Sequence, residues 1–207
     1  MNKLLLFVLA FLVLSCNDKK IFLPLADTTI VLDVKDHSPV YIFFKTDNKD
    51  TIAEVNRKNT ISTTNWIFNI DKRLPLKLIV PEIIKLQEKK NSSAHKNEES
   101  ENYYSYSNDI KKSLAFFPFT NTHYYFDTKP KSGVIIFFNK KNELFISKVL
   151  VKKSELEKNF STLITVNYIL CFDRNCSYES YIQNKILIEK LKKSNTKSSI
   201  SNEEFIF

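Results

Sequence analysis

Glycine is almost missing from this chain of 207 residues, which contains only one. Turns and the C-terminal ends of helices commonly use glycine because its backbone tolerates positive φ angles. We therefore expect asparagine, aspartate, lysine and serine to occupy those positions. The sequence also has no glycine-rich phosphate loop and no dinucleotide-binding fingerprint, which removes two common kinds of nucleotide site.

Arginine is scarce as well, although the formal net charge is +8. Arginine is the side chain that most often reads bases and binds phosphate groups, and here scattered lysines carry the positive charge. We interpret this charge as a solvated, lysine-rich surface and expect no nucleic-acid partner. A hydrophobic content of 43% with 26% charged residues indicates a globular chain that can bury a core.

Long apolar runs are limited to residues 4–14, where eleven residues follow one another without a polar side chain. A helix that crosses a bilayer needs about 20 residues, so this run suits the apolar part of a signal peptide. Cys16 follows Ser15 at the boundary between apolar and polar sequence, and this junction resembles the lipobox of bacterial lipoproteins. We predict a signal peptide over residues 1–15, a lipid-modified Cys16 and a polar tether over 16–28.

A lipid on Cys16 would place the mature chain in the cell envelope, anchored to a membrane and facing the periplasm. The pattern is compatible with either the inner or the outer membrane. The alternative is an ordinary secretory signal followed by a chance cysteine. That alternative fits poorly with the position of Cys16, the only cysteine in the first 170 residues.

Two stretches of sequence recur along the chain. Residues 40–45 (VYIFFK) are matched 94 positions later by 134–139 (VIIFFN), and residues 68–73 (FNIDKR) are matched 102 positions later by 170–175 (LCFDRN). The second stretch of each copy precedes a helical apolar pattern that ends in paired lysines. The shared order of these matches indicates an internal duplication.

Both copies predict the same series of elements. β-branched and aromatic runs favour strands, polar turns between them favour a hairpin, and an amphipathic helix follows. In the first copy that helix either starts near Val80 or kinks there, because Pro81 lacks a backbone N–H. We predict an α+β protein of two tandem small β-β-α-β-α-β modules, each a sheet with helices packed on one face. The first module covers residues 29–119, with a polar insert at about 88–112, and the second covers 120–207.

The strand-to-helix junction at residues 172–181 (FDRNCSYESY) resembles that of the ExbD/TolR family. In that family a strand ends in Asp-Lys, and a few residues later a tyrosine opens the following helix. Asp173, Arg174 and Tyr178 match this pattern. The first copy keeps the Asp-Lys pair but has Leu76 in place of the tyrosine, so the resemblance reaches it mainly through the repeat.

The resemblance implies a compact periplasmic module that dimerises and contacts proteins or the cell wall. Members of the family also carry one transmembrane helix with an acidic residue used in proton-driven energy transduction, and a lipid anchor stands in its place here. The resemblance therefore implies the extracytoplasmic half of an energy-coupling transport system, in duplicate. Its expected partners are an envelope protein or peptidoglycan, with a homodimer as a further assembly.

Candidate catalytic residues are few. The three histidines, His37, His95 and His123, are far apart, and none has metal-ligand spacing to another. Asp36, His37 and Ser38 are the residue types of a hydrolytic triad, but neighbours in sequence cannot normally reach its geometry. We predict that the protein is not an enzyme and uses no metal or cofactor. A hydrolase, the third hypothesis, requires a pocket where His37 or His123 lies beside a carboxylate or a hydroxyl.

Cys171 and Cys176 are five residues apart in a chain expected to be exported. A disulfide would connect the strand to the helix that follows, provided that the two Cα atoms lie within about 7 Å. The alternative is two buried thiols that act as small apolar side chains.

Six residues are candidates for contact with a partner: Asp71, Asp173, Tyr178, Tyr103, Tyr104 and Tyr106. The two aspartates are either binding carboxylates or acceptors of backbone N–H groups at a turn. The tyrosines form either a contact surface for a glycan or peptide, or strand and core packing. The leading hypothesis is a non-enzymatic, lipid-anchored envelope protein that binds a protein or cell-wall partner. The alternative is a periplasmic lipoprotein that binds a small ligand or glycan.

Overall fold

The computed structural model describes residues 19–95, 97–159, 167–194 and 199–207, which contain two six-stranded β-sheets and three α-helices. The expected α+β class is confirmed at this level. The predicted signal peptide and Cys16 lie outside the described residues.

The first sheet is formed by the N-terminal half of the chain. Its strands are β1 (Leu25–Ala26), β2 (His37–Asp47), β3 (Asp50–Asn56), β4 (Asn65–Ile70), β5 (Asn102–Asn108) and β6 (Ser113–Pro118). Strands β2 and β3 form an antiparallel hairpin, β2 pairs in parallel with β4, and β4 pairs in parallel with β5. Strand β5 also pairs with β1 in parallel and with β6 in antiparallel orientation.

The second sheet is formed by the C-terminal half. Its strands are β7 (His123–Phe126), β8 (Val134–Phe138), β9 (Leu144–Ile146), β10 (Val149–Val151), β11 (Asn167–Phe172) and β12 (Ser199–Ile206). Their order across the sheet is β10-β9-β8-β11-β12-β7. As in the first sheet, a hairpin strand (β8) pairs in parallel with the next long strand (β11), which pairs in parallel with another (β12).

The three helices are α1 (Leu76–Asn91), α2 (Lys153–Asn159) and α3 (Tyr178–Ser194). Helix α1 begins at Leu76 and contains Pro81, so the expected start near Val80 is wrong. Leu76 and Ile83 are buried on either side of the proline, and this packing offsets the hydrogen bond that the proline cannot donate. No helix among the described residues is long and apolar enough to cross a membrane.

The register of the sheets revises the alignment of the two halves. Ile42 pairs with Ile70 in the first sheet, and Phe138 pairs with Phe172 in the second. With the spacing of 102 kept between Ile70 and Phe172, the residue that matches Ile42 by register is Phe138, 96 positions later, which differs by two from the expected offset of 94. Because side chains alternate between the faces of a strand with period two, a shift of two left the apolar pattern unchanged.

The predicted polar insert at residues 88–112 is partly wrong, because β5 lies within it. Tyr104 and Tyr106 of this strand are fully buried, and so is Ser105. The Ser105 hydroxyl donates to the Asn69 side-chain oxygen at 2.8 Å, so the polar group is satisfied inside the sheet. Strand β5 consists of tyrosine, serine and asparagine, a composition typical of loops. For this reason the sequence did not predict a strand here.

One hydrophobic core joins the two halves. It contains Val40 of the first sheet and Ile136 of the second, together with the buried sides of α1 and α3. At its centre the Tyr104 ring lies edge-on to the rings of Tyr178 and Tyr181 on α3, with centroids 5.7 and 6.1 Å away. The halves therefore share their apolar interior.

Positive φ angles fall on the residue types that the scarcity of glycine predicts. The non-glycine residues concerned are Asp36, Asn48, Lys112, Asp127, Asn142, Ser147 and Lys148. Ser147 and Lys148 form the two-residue turn between β9 and β10, where a type I′ turn requires positive φ at both positions.

Candidate functional site

The two strand-to-helix junctions pair with each other. Four backbone hydrogen bonds join them: Leu76 N–H to the Cys176 carbonyl (2.9 Å), Tyr178 N–H to Leu74 (2.8 Å), Lys77 N–H to Arg174 (2.8 Å) and Glu179 N–H to Lys72 (3.2 Å). Moving each residue by 102 positions converts the first bond into the second and the third into the fourth. The junctions therefore meet about a local two-fold axis, as identical surfaces do in a symmetric dimer.

Asp71 and Asp173 occupy equivalent places in this pairing, and each closes its own turn. The Asp71 carboxylate accepts hydrogen bonds from the backbone N–H and the guanidinium of Arg73. The Asp173 carboxylate accepts one from the Asn175 backbone N–H at 2.8 Å. Both therefore serve the turn chemistry considered above, and Asp71 is fully buried, which removes it from any contact surface.

Charge pairing sets the protonation of Asp71. Burial by itself would raise the pKa of this carboxyl. Its hydrogen bonds from Arg73 and from the Phe22 backbone N–H outweigh burial, so the pKa is lowered. Asp71 is therefore an anion held by a partner cation at neutral pH.

The candidate tyrosines are mostly interior residues. Tyr104, Tyr106 and Tyr178 have no exposed surface, so they cannot form the contact surface considered from sequence. Tyr103 is half-buried and donates to Glu101. Burial and this carboxylate raise the pKa of Tyr103 to about 12. Of the tyrosines considered for a glycan or ligand surface in this strand, only Tyr103 keeps exposed area.

A chain of side-chain hydroxyls crosses the boundary between the halves. The Tyr104 hydroxyl lies 2.7 Å from that of Tyr124, which lies 3.2 Å from that of Tyr181. Tyr181 donates to the buried Glu204 carboxylate at 2.7 Å, and Lys185 pairs with the other oxygen of that carboxylate. Burial raises the pKa values of the tyrosines well above the ordinary value, so the hydroxyls stay protonated and act as donors.

A polar cleft of about 270 Å³ opens over this ion pair. Its walls include Glu101, Thr120, Asn121, Lys185, Lys192 and Glu204. Burial, and then the neighbouring charge of Lys185, lower the pKa of Lys192. Because Lys185 and Tyr181 already engage both carboxylate oxygens of Glu204, the cleft offers no uncommitted buried acid or base from this pair.

The two cysteines of the second half are free, buried thiols, so the disulfide considered from sequence is not formed in the structure. Cys171 lies in an apolar cluster with Ile169 and Phe205, whereas Cys176 lies in the main core. Cys171, like the other odd-numbered residues of β11, faces one side of the second sheet. Cys176 follows the strand and packs in the main core on the opposite side of the sheet. Burial raises the pKa of Cys171 to about 12 and that of Cys176 to about 11.

The histidines do not assemble a catalytic site among the described residues. His37 Nδ1 lies 2.8 Å from the Val34 carbonyl oxygen, and the neighbouring Ser38 hydroxyl lies 2.7 Å from that of Thr64. His95 is exposed in a turn, and His123 is exposed at the start of β7. The described residues also contain no group of three side chains that could hold a metal ion.

The outward face of the second sheet carries a row of apolar side chains across all six strands, which we call the outer stripe. Its members are Leu150, Phe145, Phe137, Cys171, Phe205 and Tyr125, each paired with the next across neighbouring strands. Beside the stripe lies a groove of about 630 Å³ whose lining includes Lys129, Ile135, Phe137, Phe145, Lys148 and Phe207.

The outer stripe ends at an exposed strand edge. Strand β10 pairs with β9 and, in the part of the chain that the structure describes, forms one end of the sheet. Val149 and Leu150 are 65% and 61% exposed, although both are apolar. A two-residue turn makes Val149 and Ile146 the hydrogen-bonded pair, so the N–H of the next residue, Leu150, points away from β9.

Comparisons with known proteins add no relative: no protein family, no curated protein and no solved structure matches this chain.

Sequence reasoning missed the Tyr124, Tyr181, Lys185 and Glu204 cluster and the outer stripe. The signal for the stripe was present in the alternation of Ile135 and Phe137 with the inward-facing Ile136 and Phe138. An apolar residue at every position of a strand indicates that both faces are apolar. This cluster left no such signal, because its members come from three separate elements, β7, α3 and β12.

Proposed function

We propose that this chain is a non-enzymatic, lipid-anchored protein of the bacterial cell envelope that binds a protein or cell-wall partner. Its export and anchoring are inferred from the apolar run at residues 4–14 and the lipobox-like position of Cys16. The resemblance of the Asp173–Tyr178 region to the ExbD/TolR family connects it with an energy-coupling transport system.

We also propose that the binding unit is a pair of tandem ExbD/TolR-like modules within one chain. The recurring strand order of the two sheets supports this arrangement. The local two-fold pairing of the junctions supports it further, because a duplicated module that once dimerised would keep such a contact inside the fused chain. On this proposal the two halves provide one rigid platform.

The observation that carries the binding proposal is the edge strand β10. An edge strand presents unpaired backbone groups that can add a strand from a partner, and natural proteins usually protect such edges with charge or proline. On this edge Val149 and Leu150 are apolar and exposed, with lysines only at the two ends, Lys148 and Lys152. A partner segment that pairs with β10 would cover both side chains and satisfy the outward N–H of Leu150.

A photocrosslinking amino acid placed at Val149 tests this proposal in cells. We expect crosslinks to an envelope protein or to peptidoglycan, and we expect Leu150→Pro to remove them because proline lacks the outward N–H. Leu150→Val keeps that N–H and is the matched control. The same crosslinker at Ile61, an exposed apolar residue of the other half, reports on nonspecific contacts. Crosslinks to lipid alone, or crosslinks unaffected by the proline, would contradict the proposal.

The anchor has its own test. A Cys16→Ala variant should lose radiolabelled palmitate and leave the membrane fraction. Labelling that persists in the variant would overturn the lipoprotein assignment without bearing on β10.

A further inference from the structure

We propose that the groove beside the outer stripe binds a single-chain amphiphile with an acidic head group, a long-chain carboxylate. This inference is independent of the partner proposal, since it concerns a cavity and its charge rather than a strand edge.

The floor of the groove is aromatic and continuous. The Phe137 ring stacks on the Phe207 ring with centroids 5.6 Å apart, and it meets the Phe145 ring at 6.3 Å. All three side chains are only partly buried, so each has a surface exposed towards the groove. A volume of about 630 Å³ falls within the range of small-ligand pockets, and an apolar chain laid on this floor would remove exposed aromatic surface from water.

The rim of the groove selects the charge of the occupant. Lys129 and Lys148 line it, and no aspartate or glutamate does so among the described residues. The Lys129 ammonium lies 5.3 Å from the centre of the Phe207 ring, at the border between charge and apolar floor. An acidic head group beside the lysines with its chain over the rings matches both parts of the lining.

The same charges argue against a second copy of this chain as the occupant. Face-to-face packing of two identical grooves would bring the lysines of both copies together in an apolar contact, which is unfavourable. The negative head group of an anionic amphiphile would instead be attracted to the lysines of the groove.

The first sheet shows how this chain covers an apolar outer face when it does so itself. There, Val31 forms two backbone hydrogen bonds with Phe116, at 3.1 and 2.9 Å, and Val34 packs with Ile67 and Phe116. In the described part of the second half, Gly133 packs closely on Ile169, and the groove lies open beside that contact.

Photolabelling of the full chain tests the proposal. The chain is reconstituted in nanodiscs of neutral phosphatidylcholine and labelled with a diazirine analogue of dodecanoate at limiting concentration. We expect labelled peptides that contain Phe137, Phe145 or Phe207, and competition by dodecanoate but not by dodecanol or dodecyltrimethylammonium. The double variant Lys129→Gln with Lys148→Gln should reduce labelling roughly tenfold, the size expected when two exposed charge contacts are lost together.

The matched control is Lys131→Gln with Lys140→Gln, which removes the same charge from exposed lysines that do not line the groove. This variant should label like the unmodified chain. Labelling outside the groove, equal competition by the neutral and cationic amphiphiles, or equal losses in the two double variants would each overturn the proposal. Crosslinking of the groove to a protein rather than to the probe would do so as well.

Discussion

Pro75 and Ser177 face each other in an antiparallel backbone bridge at the centre of the contact between the two halves. The two residues are 102 positions apart, the same spacing that relates the hydrogen bonds on either side of them. Each residue directly precedes a long helix, so one contact fixes the start of both α1 and α3. The stability of this junction should therefore depend on the turns that lead into it.

Asp71→Asn should destabilise the protein by about 2 kcal/mol, because it removes the anion from a buried, hydrogen-bonded pair with Arg73. The folded-state pKa of Asp71 is lowered. Its contribution is therefore fully present above the unfolded value near 4 and is lost as the pH falls through the folded-state value. Urea unfolding at pH 7 and pH 3 measures the free energy of unfolding of the original chain and of the variant. The difference between the two values should be smaller at pH 3.

The equivalent substitution Asp173→Asn is the control for this position. Its carboxylate is only partly buried and accepts its hydrogen bonds from Asn175, an uncharged residue. At pH 7, Asp173→Asn should lower the free energy of unfolding by less than Asp71→Asn does. Equal losses in the two variants, or a gap that widens in acid, would show that the Asp71 pair does not stabilise the junction.

Lys185→Met should destabilise the protein by about 3–5 kcal/mol, because it leaves the buried Glu204 carboxylate without its cation. The double variant Lys185→Met with Glu204→Met should recover much of that loss, since it removes both charges. Denaturant unfolding of the single and double variants forms a double-mutant cycle. Additive losses would mean that the two side chains do not act as a pair.

Only Tyr181→Phe should lower the stability of the protein, although Tyr178 and Tyr181 lie on the same helix. The Tyr178 hydroxyl is buried without a hydrogen-bond partner among the described residues, whereas that of Tyr181 donates to Glu204. Removing an unsatisfied buried hydroxyl should leave stability unchanged or raise it by about 1 kcal/mol, and removing the donor to Glu204 should lower it by about 2 kcal/mol. Thermal unfolding of both variants checks the sign, and a loss of stability with Tyr178→Phe would contradict it.

The sequence allowed the α+β class and a hairpin in each half to be predicted, because apolar periodicity and turn residues are local signals. It misplaced β5, because the burial of Tyr104 and Tyr106 depends on partners distant in sequence, such as Tyr124 and the backbone of residues 28–30. The turn role of Asp71 and Asp173 was one of the two alternatives left open by the sequence, since an aspartate two residues before a backbone donor is a local pattern. The hydroxyl chain could not be foreseen, because it depends on how four elements pack together.

Cys171 and Cys176 should resist iodoacetamide in the folded protein at pH 8. Burial shields both thiols and holds their pKa values at about 12 and about 11, so the reactive thiolate is rare at that pH. Peptide mass spectrometry should find both residues unmodified in buffer and modified in guanidinium. A mass two daltons lower for the unreduced peptide that contains both would reveal a disulfide and contradict the free thiols.

Gly133→Ala should destabilise the protein by about 2 kcal/mol for two separate reasons. The backbone φ of Gly133 is +108°, a conformation that residues with a Cβ rarely adopt, and an added Cβ would lie 2.6 Å from the Ile169 Cδ1 atom. Combining it with Ile169→Val removes that δ-methyl, so the double variant should lose less than the sum of the two single changes. Recovery should stay incomplete, because the strained φ remains. A double variant as stable as Ile169→Val alone would mean that the steric contact, and not the backbone conformation, requires glycine here. Urea unfolding of all three variants separates the two reasons. The distinction matters because seven non-glycine residues in the described ranges also have positive φ, so backbone conformation alone does not demand glycine.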